Sequence, residues 1–351
     1  MPTHQNFSNI EPGPVSPAKA DLETPAIAWE SPADESDRLR VIYIMGCGRS
    51  GSTVLDTLLG NRPNTVGVGE LHMLSDSLAD NAFCSCRRPI RDCEFWVEVM
   101  RLWRPEGARE FVQYVAFQKK FESLRWMGSS SWLQLARERW LRRSAEFTTY
   151  LAETQRLYEA IAQVSGARVI VESSKLPIRA AVLRQIPGID LALVHLVRDV
   201  RGVVWSCGKS IAAQADAGVA TAQSGRSLCR TVAYWSLVNR VASQVCRGAK
   251  SMRLRYEDLV VNPDESIRQI ERLAGVGEFL PELADGGGTS LAEVPVKIGH
   301  LFSGNRLRMA EQLTLRADTE WYERMPQTDQ RWAAWLSRRL LREYGYAPCR
   351  S

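Results

Sequence analysis

Apolar positions along this chain fall into short unbroken runs separated by longer stretches of helical period. Val41–Met45 (VIYIM), Ala167–Glu172 (ARVIVE), Leu191–Val197 (LALVHLV) and Met252–Arg255 are the short runs. The first three are rich in β-branched residues, as expected of parallel strands buried on both faces, and Met252–Arg255 reads as a fourth strand. Between them, Val54–Leu59, much of 94–164, the stretch from Pro177 to about Gln185, 224–247 and the stretch from about Pro263 to Ala274 read as helix. A last helix near Asp329–Tyr344 carries Trp332, Trp335, Leu336, Leu340 and Leu341 at helical spacing. Strand alternating with helix predicts an α/β fold with a central parallel sheet flanked by helices in three layers. Val66-Gly67-Val68-Gly69 reads as a short extended piece that delivers Glu70 back toward the first strand's end, with a helix from Leu71 to about Ala79. His195 lies inside an apolar run, so we expect a packed core histidine.

The first strand runs directly into Gly46-Cys47-Gly48-Arg49-Ser50-Gly51-Ser52-Thr53 and then into helix. Strand, glycine-rich turn and helix together cradle a phosphate: the glycines let the backbone wrap the anion, and the helix N-terminus stabilises its charge. Arg49, Ser52 and Thr53 add side-chain donors. The fold class is therefore read as P-loop-like. The segment nearly spells the nucleoside-triphosphate loop GxxxxGK[ST], but Ser52 stands where that motif requires lysine, which counts against ATP or GTP. Two further strand ends are polar and phosphate-compatible, Ser173-Ser174-Lys175 and the stretch from Arg198 to Ser206. In an open parallel sheet ligands bind beyond the carboxyl ends of the strands, so all three should converge on one cleft.

Residues 1–38 hold six of the sixteen prolines and little apolar periodicity, and are read as a disordered tail before one domain over 39–351. A helical insertion over 94–165 contains five of the eleven tryptophans: Trp96, Trp103, Trp126, Trp132 and Trp140. Such a stripe is first of all core, and also a place for an acceptor pocket. Gly286-Gly287-Gly288 marks a flexible loop. The net charge of +5 conceals an asymmetry, because the tail carries seven acidic residues against Lys19 and Arg38 and the remainder carries +10. A basic body suits an anionic ligand, and nothing resembles a nucleic-acid module. No apolar run approaches the ~20 residues needed to span a bilayer. Without a charged-then-apolar N-terminal pattern, a cytoplasmic location is expected. Eight cysteines in such a chain argue against a disulfide framework. Cys84, Cys86 and Cys93 fall within ten residues, but the spacing is not that of a standard zinc pair and a fourth ligand such as His72 would have to be recruited. They are read as structural or redox-labile thiols, and no metal is expected.

With these motifs in place, the chain resembles the sulfotransferase family, whose members use 3′-phosphoadenosine 5′-phosphosulfate as sulfuryl donor. The GRSGST form looks like the tyrosylprotein, carbohydrate and bacterial branch. The resemblance covers about residues 40–345. It implies that Gly48, Arg49, Ser50, Gly51, Ser52 and Thr53 grip the 5′-phosphosulfate, with Arg49 where cytosolic members carry a catalytic lysine. It also implies that Arg198 and Ser206, eight residues apart, hold the 3′-phosphate. A guanidinium forks onto phosphate oxygens and a hydroxyl completes the shell. Cytosolic members place a histidine two residues before the proline corresponding to Pro177, and here that position is Lys175. The tyrosylprotein branch uses a glutamate about twenty residues after its loop arginine. Glu70 lies twenty-one beyond Arg49 and is our expected general base, with Glu172 as the alternative. Gly304-Asn305-Arg306 looks like the late loop that closes over the donor nucleotide; an ordinary basic surface loop is the other reading.

The expected reaction is in-line transfer of a sulfuryl group to a hydroxyl acceptor, with Glu70 taking the proton and Arg49 and Lys175 stabilising developing charge. The product would be adenosine 3′,5′-bisphosphate, and the acceptor a small molecule, carbohydrate or peptide. A P-loop small-molecule kinase and a catalytically inactive nucleotide-binding regulator are the alternatives. Acceptor identity and oligomeric state are not legible from the sequence.

Overall fold

The computed structural model describes residues 38–104, 108–122, 143–210, 225–276, 293–295, 299–315 and 318–347. The tail over 1–37, the glycine run at 286–288, and Trp126, Trp132 and Trp140 of the insertion lie outside the described residues.

Five parallel strands form the central sheet: β1 (Leu39–Met45), β2 (Thr65–Gly69), β3 (Val169–Lys175), β4 (Ile189–Val197) and β5 (Ser251–Arg255), in the order β2-β3-β1-β4-β5. The short piece before Glu70 is thus a full edge strand. Its two glycines weaken the strand signal, and Gly67 is there because a Cβ would sit 2.3 Å from Asp56 Oδ1.

Alternation along β1 makes the three layers. Val41, Tyr43 and Met45 enter one core with Trp96, Tyr150, Tyr158 and Ile178, while Ile42 and Ile44 enter another with Val54, Leu55, Leu58, Ile267 and Ile270. The first face is covered by helices α3 (Glu94–Trp103), α4 (Ala108–Glu122), α5 (Ala145–Ser165) and α6 (Pro177–Leu183). The opposite face is covered by α1 (Ser52–Gly60) and α10 (Pro263–Ala274). The short α2 (Leu74–Ala79) follows β2. A third apolar cluster joins α7 (Val200–Gly208), α8 (Leu228–Cys246) and the C-terminal α12 (Gln327–Glu343) around Trp235; α9 (Tyr256–Val261) and α11 (Glu320–Arg324) complete the helices named here. His195 is fully buried, bonded through Nε2 to Asn239 Oδ1 at 3.0 Å, and burial pushes its pKa down to about 4. It is a neutral core residue.

The described tryptophans of the insertion are also core. Trp96 donates to the His300 carbonyl at 2.7 Å and Trp103 to the Glu153 carbonyl at 2.9 Å, both from buried rings. They fill the layer beneath the sheet.

Candidate active site

Register brings the predicted motifs to one edge. Met45 stands opposite Lys175 on one side and His195 on the other, so β1, β3 and β4 discharge their loops together. The loop after β1 turns through Gly51, whose φ of +89° and 2.3 Å approach of a Cβ to the Tyr256 ring both require glycine. Helix α1 begins at Ser52, its first internal bond running from Leu55 N–H to the Gly51 carbonyl at 3.1 Å. The amides ahead of Leu55 have no acceptor within the helix and face the loop's concavity. Ser50 is buried and its hydroxyl has no hydrogen-bond partner. A buried hydroxyl of this kind is able to donate to an acceptor that enters the loop.

Two residues expected to do chemistry hold left-handed backbones that side chains disfavour: Arg49 at φ +68° and Lys175 at φ +66°. Such conformations persist only where surrounding structure imposes them, and they gather at ligand sites. Arg49 Nε donates to Ser206 Oγ at 3.0 Å, and Arg198 Nη1 donates to the Arg49 carbonyl at 2.8 Å. Loop and α7 are therefore locked through Arg49, while Arg198 and Ser206 meet through it and not directly. Arg198 also pairs with Asp318 and lies 4.8 Å over the Tyr256 ring. Burial lowers the Arg49 pKa, and the charges of Arg198, Arg306 and Arg226 act in the same direction. Positive charge gathers at this loop, from Arg49 and Arg198 in contact and from the exposed Arg226 and Arg306 at longer range. Arg226, Tyr256 and Asp318 had no motif to mark them in the sequence.

Glu70 follows β2 directly and forms an ion pair with Lys175 at the end of β3. Its position is built from behind. Asp56 of α1 accepts from the Gly69 amide at 3.1 Å and from the Ser173 hydroxyl at 2.5 Å, joining α1, β2 and β3 just beneath the pair. Burial pushes the Asp56 pKa up to about 7. The late loop closes the other side. Asn305 N–H donates to Thr53 Oγ1 at 3.1 Å, and Gly304 packs so tightly that a Cβ would lie 3.3 Å from Glu70 Oε1. Arg308 holds the Gly304 carbonyl at 3.2 Å. Gly304, Asn305, Thr53, Glu70 and Lys175 are thereby brought together, with Arg306 within electrostatic range of Arg49. Gly48 has open space around its α-carbon.

Glu172 is placed elsewhere. Its carboxylate is fully buried and accepts from Arg179 Nε at 2.6 Å, from the Tyr158 hydroxyl and from Ser174. Arg179 also holds Glu122 at 2.8 Å. Glu172 points into the core layer and is no alternative base. His72 is likewise not the partner of the cysteines. Its ring is buried with Nδ1 unpartnered and its pKa is pushed down to about 3, first by burial and then by Lys175. The group that joins Cys84, Cys86 and Cys93 is His300.

The sequence profile of the sulfotransferase family matches residues 41–279. The chain belongs to that family. Matching solved structures include the sulfotransferase domain from the Synechococcus PCC 7002 olefin synthase, 18% identical over 92% of this chain and 99% of that one, with a TM-score of 0.41. The sulfotransferase domain from the curacin biosynthetic pathway is 15% identical over 88% and 98%, with a TM-score of 0.43. Sulfotransferase STF9 from Mycobacterium avium is 12% identical over 89% and 78%, at 0.43. No curated protein gives a significant match. Among the described residues of this sulfotransferase-family chain, no helix is long and apolar enough to cross a membrane.

Proposed function

We propose that the chain transfers a sulfuryl group from 3′-phosphoadenosine 5′-phosphosulfate to a hydroxyl acceptor, with Glu70 as general base. The observation that carries this is the pairing of a carboxylate and an ammonium, Glu70 with Lys175, beside a glycine loop that carries Arg49 and is held by Arg198. The residues present suit the donor. The 5′-phosphosulfate falls to the amides of Gly48 to Thr53, the unpartnered Ser50 hydroxyl and Arg49. The 3′-phosphate falls to Arg198 and Ser206, and its binding displaces Asp318 from Arg198. When bound, the donor supplies the sulfuryl group, which passes in line from phosphate to the acceptor oxygen.

The chain's own residues do the rest. Glu70 accepts the acceptor's proton, held in place through Gly69 by Asp56. Lys175 neutralises the carboxylate before reaction and stabilises charge on the transferring oxygens during it. Arg49 and the α1 amides stabilise the departing phosphate. The late loop over Glu70 keeps water away from the donor. A small-molecule, carbohydrate or peptide alcohol is the acceptor class, and a cytoplasmic setting suits this donor. The test is release of adenosine 3′,5′-bisphosphate from the donor in the presence of a graded series of phenols. Release that depends on acceptor and is lost in Arg49→Ala supports the reading; hydrolysis of ATP without donor turnover would move it to a kinase.

A further inference from the structure

We propose that Cys84, Cys86, Cys93 and His300 bind one structural zinc ion that fastens the late loop of the site to the body of the protein. The sequence alone offered three local thiols and His72 as a fourth ligand to be recruited; folding brings in His300 instead, from 207 positions beyond Cys93. The four candidate donor atoms all lie within 4.8 Å of one another. Cys93 Sγ is 3.5 Å from Cys86 Sγ, 3.7 Å from Cys84 Sγ and 3.4 Å from His300 Nδ1, and Cys84 Sγ is 3.9 Å from the same nitrogen. A tetrahedral zinc with bonds of about 2.3 Å to sulfur and about 2.0–2.1 Å to nitrogen sets sulfur–sulfur separations near ~3.8 Å and sulfur–nitrogen separations near ~3.5 Å. The four separations found are close to those edges, and all four donor atoms stay within one ion's reach. Three thiolates and one imidazole also match the ligand preference of zinc over the harder cations.

The surroundings are those of a built site. Cys84 and Cys86 sit on a tight turn closed by Cys84 N–H to the Arg88 carbonyl and Arg87 N–H to the Cys84 carbonyl, both 2.8 Å, with Arg87 at φ +66°. Backbone amides of Cys86 and Arg88 bond the sulfurs of Cys84 and Cys86. Cys93 stands at the N-terminus of the ten-residue α3, where the helix favours a thiolate. His300 is fixed by stacking on Phe95 at 4.4 Å and by Trp96, which holds its carbonyl. These contacts hold the imidazole with Nδ1 toward the thiols. The two segments are also stitched by Ser85 N–H to the Leu301 carbonyl at 2.8 Å and Leu301 N–H to Ser85 Oγ at 2.9 Å. Three to five residues past His300 come Ser303, Gly304 and Asn305, which press on Gly69, Glu70 and Thr53. The ion would therefore fix the loop that covers Glu70. Binding zinc displaces the three thiol protons to solvent and leaves the imidazole neutral, so it weakens in acid.

Elemental analysis of the full chain, purified under reducing conditions, tests this without any assay of activity. We expect close to one zinc per chain, retained in Cys229→Ser, whose cysteine is outside the cluster, and lost in Cys84→Ser and His300→Ala. Should those variants fail to fold, cobalt exchanged into the wild-type chain should show the thiolate charge-transfer band and tetrahedral ligand-field bands of a Cys3His site. Removing the ion with a chelator should raise amide hydrogen exchange at 299–305 and lower the melting temperature, both restored by added zinc. A metal-free chain that takes up no zinc, a disulfide among these cysteines in unreduced peptide maps, or iron in place of zinc would each overturn the proposal. Failure of sulfuryl transfer with zinc present would count against the function proposed above and leave the metal site standing.

Discussion

The Glu70 carboxylate and the Lys175 ammonium meet across the carboxyl ends of β2 and β3, directly beneath the late loop. The arrangement separates the two roles. Glu70→Gln keeps the shape and hydrogen-bonding reach but cannot take a proton. Turnover should fall by roughly 10²–10⁴-fold, with nucleotide affinity nearly unchanged. The deficit should shrink with acidic acceptors such as nitrophenols, which need little help to ionise. Lys175→Ala should slow acidic and ordinary acceptors alike, because it removes transition-state electrostatics. Steady-state rates across a graded phenol series check both, and wild-type turnover in Glu70→Gln would remove the assignment.

Glu172 should behave as a structural residue. Fully buried itself, it shares a closed network with Arg179, Tyr158 and Ser174, and Arg179 extends it to the buried Glu122. Breaking such a buried pair costs about 3–5 kcal/mol. Glu172→Gln should therefore lower the urea midpoint clearly, yet the folded fraction should turn over at a rate near wild type. A stable variant with little activity would contradict this placement.

Much of this site could be read before folding, and the reason is local. The phosphate loop is contiguous, since strand, glycines and helix N-terminus are one stretch of chain, and Arg198 stands just ahead of the short helix that carries Ser206. Glu70 was reachable because it follows a strand end. What could not be read is what depends on distant segments meeting. Asp318 comes to Arg198 from 120 positions away, and His300 comes to Cys84 from 216. Glu172 carries no sequence sign that its partners are Arg179 and Tyr158. In the sequence it ends an apolar run as a site residue would, but it pairs in register with Tyr43, so ordinary strand alternation turns it to the core face that holds Tyr43 and Ile170.

Asp318 should compete with the nucleotide. Its carboxylate pairs with Arg198, so a phosphate arriving at that guanidinium must displace it. Asp318→Asn should bind adenosine 3′,5′-bisphosphate several-fold more tightly, whereas Arg198→Ala, losing a charge-assisted contact of about 1.5–3 kcal/mol, should bind it one to two decades more weakly. Calorimetric titration of the two variants side by side checks both directions; weaker binding by Asp318→Asn would mean that the carboxylate helps to position Arg198.

Asp56 should leave a mark on the pH dependence of stability. Burial raises its pKa from 3.8 unfolded to about 7 folded. Between those values the folded chain holds a proton that the unfolded chain has released. This contribution is fully present below about pH 4, falls as pH rises and levels off above about pH 7. At about 1.36 kcal/mol per unit it amounts to at most roughly 4 kcal/mol. Asp56→Asn, which cannot titrate, should flatten the wild-type decline in melting temperature from pH 5 to pH 8. An unchanged slope would show that the carboxyl is ionised throughout.

The most direct test of the whole account is which nucleotide the chain prefers. Adenosine 3′,5′-bisphosphate places one phosphate in the loop of Gly48 to Thr53 and the other on Arg198 and Ser206, whereas ATP has nothing for the second position and would need a lysine where Ser52 stands. Calorimetric titration at one fixed salt concentration should give a dissociation constant for the bisphosphate at least tenfold below that for ATP, with the difference abolished in Arg198→Ala. Equal affinity for the two nucleotides, or a preference for ATP that survives that substitution, would contradict the sulfuryl donor proposed here.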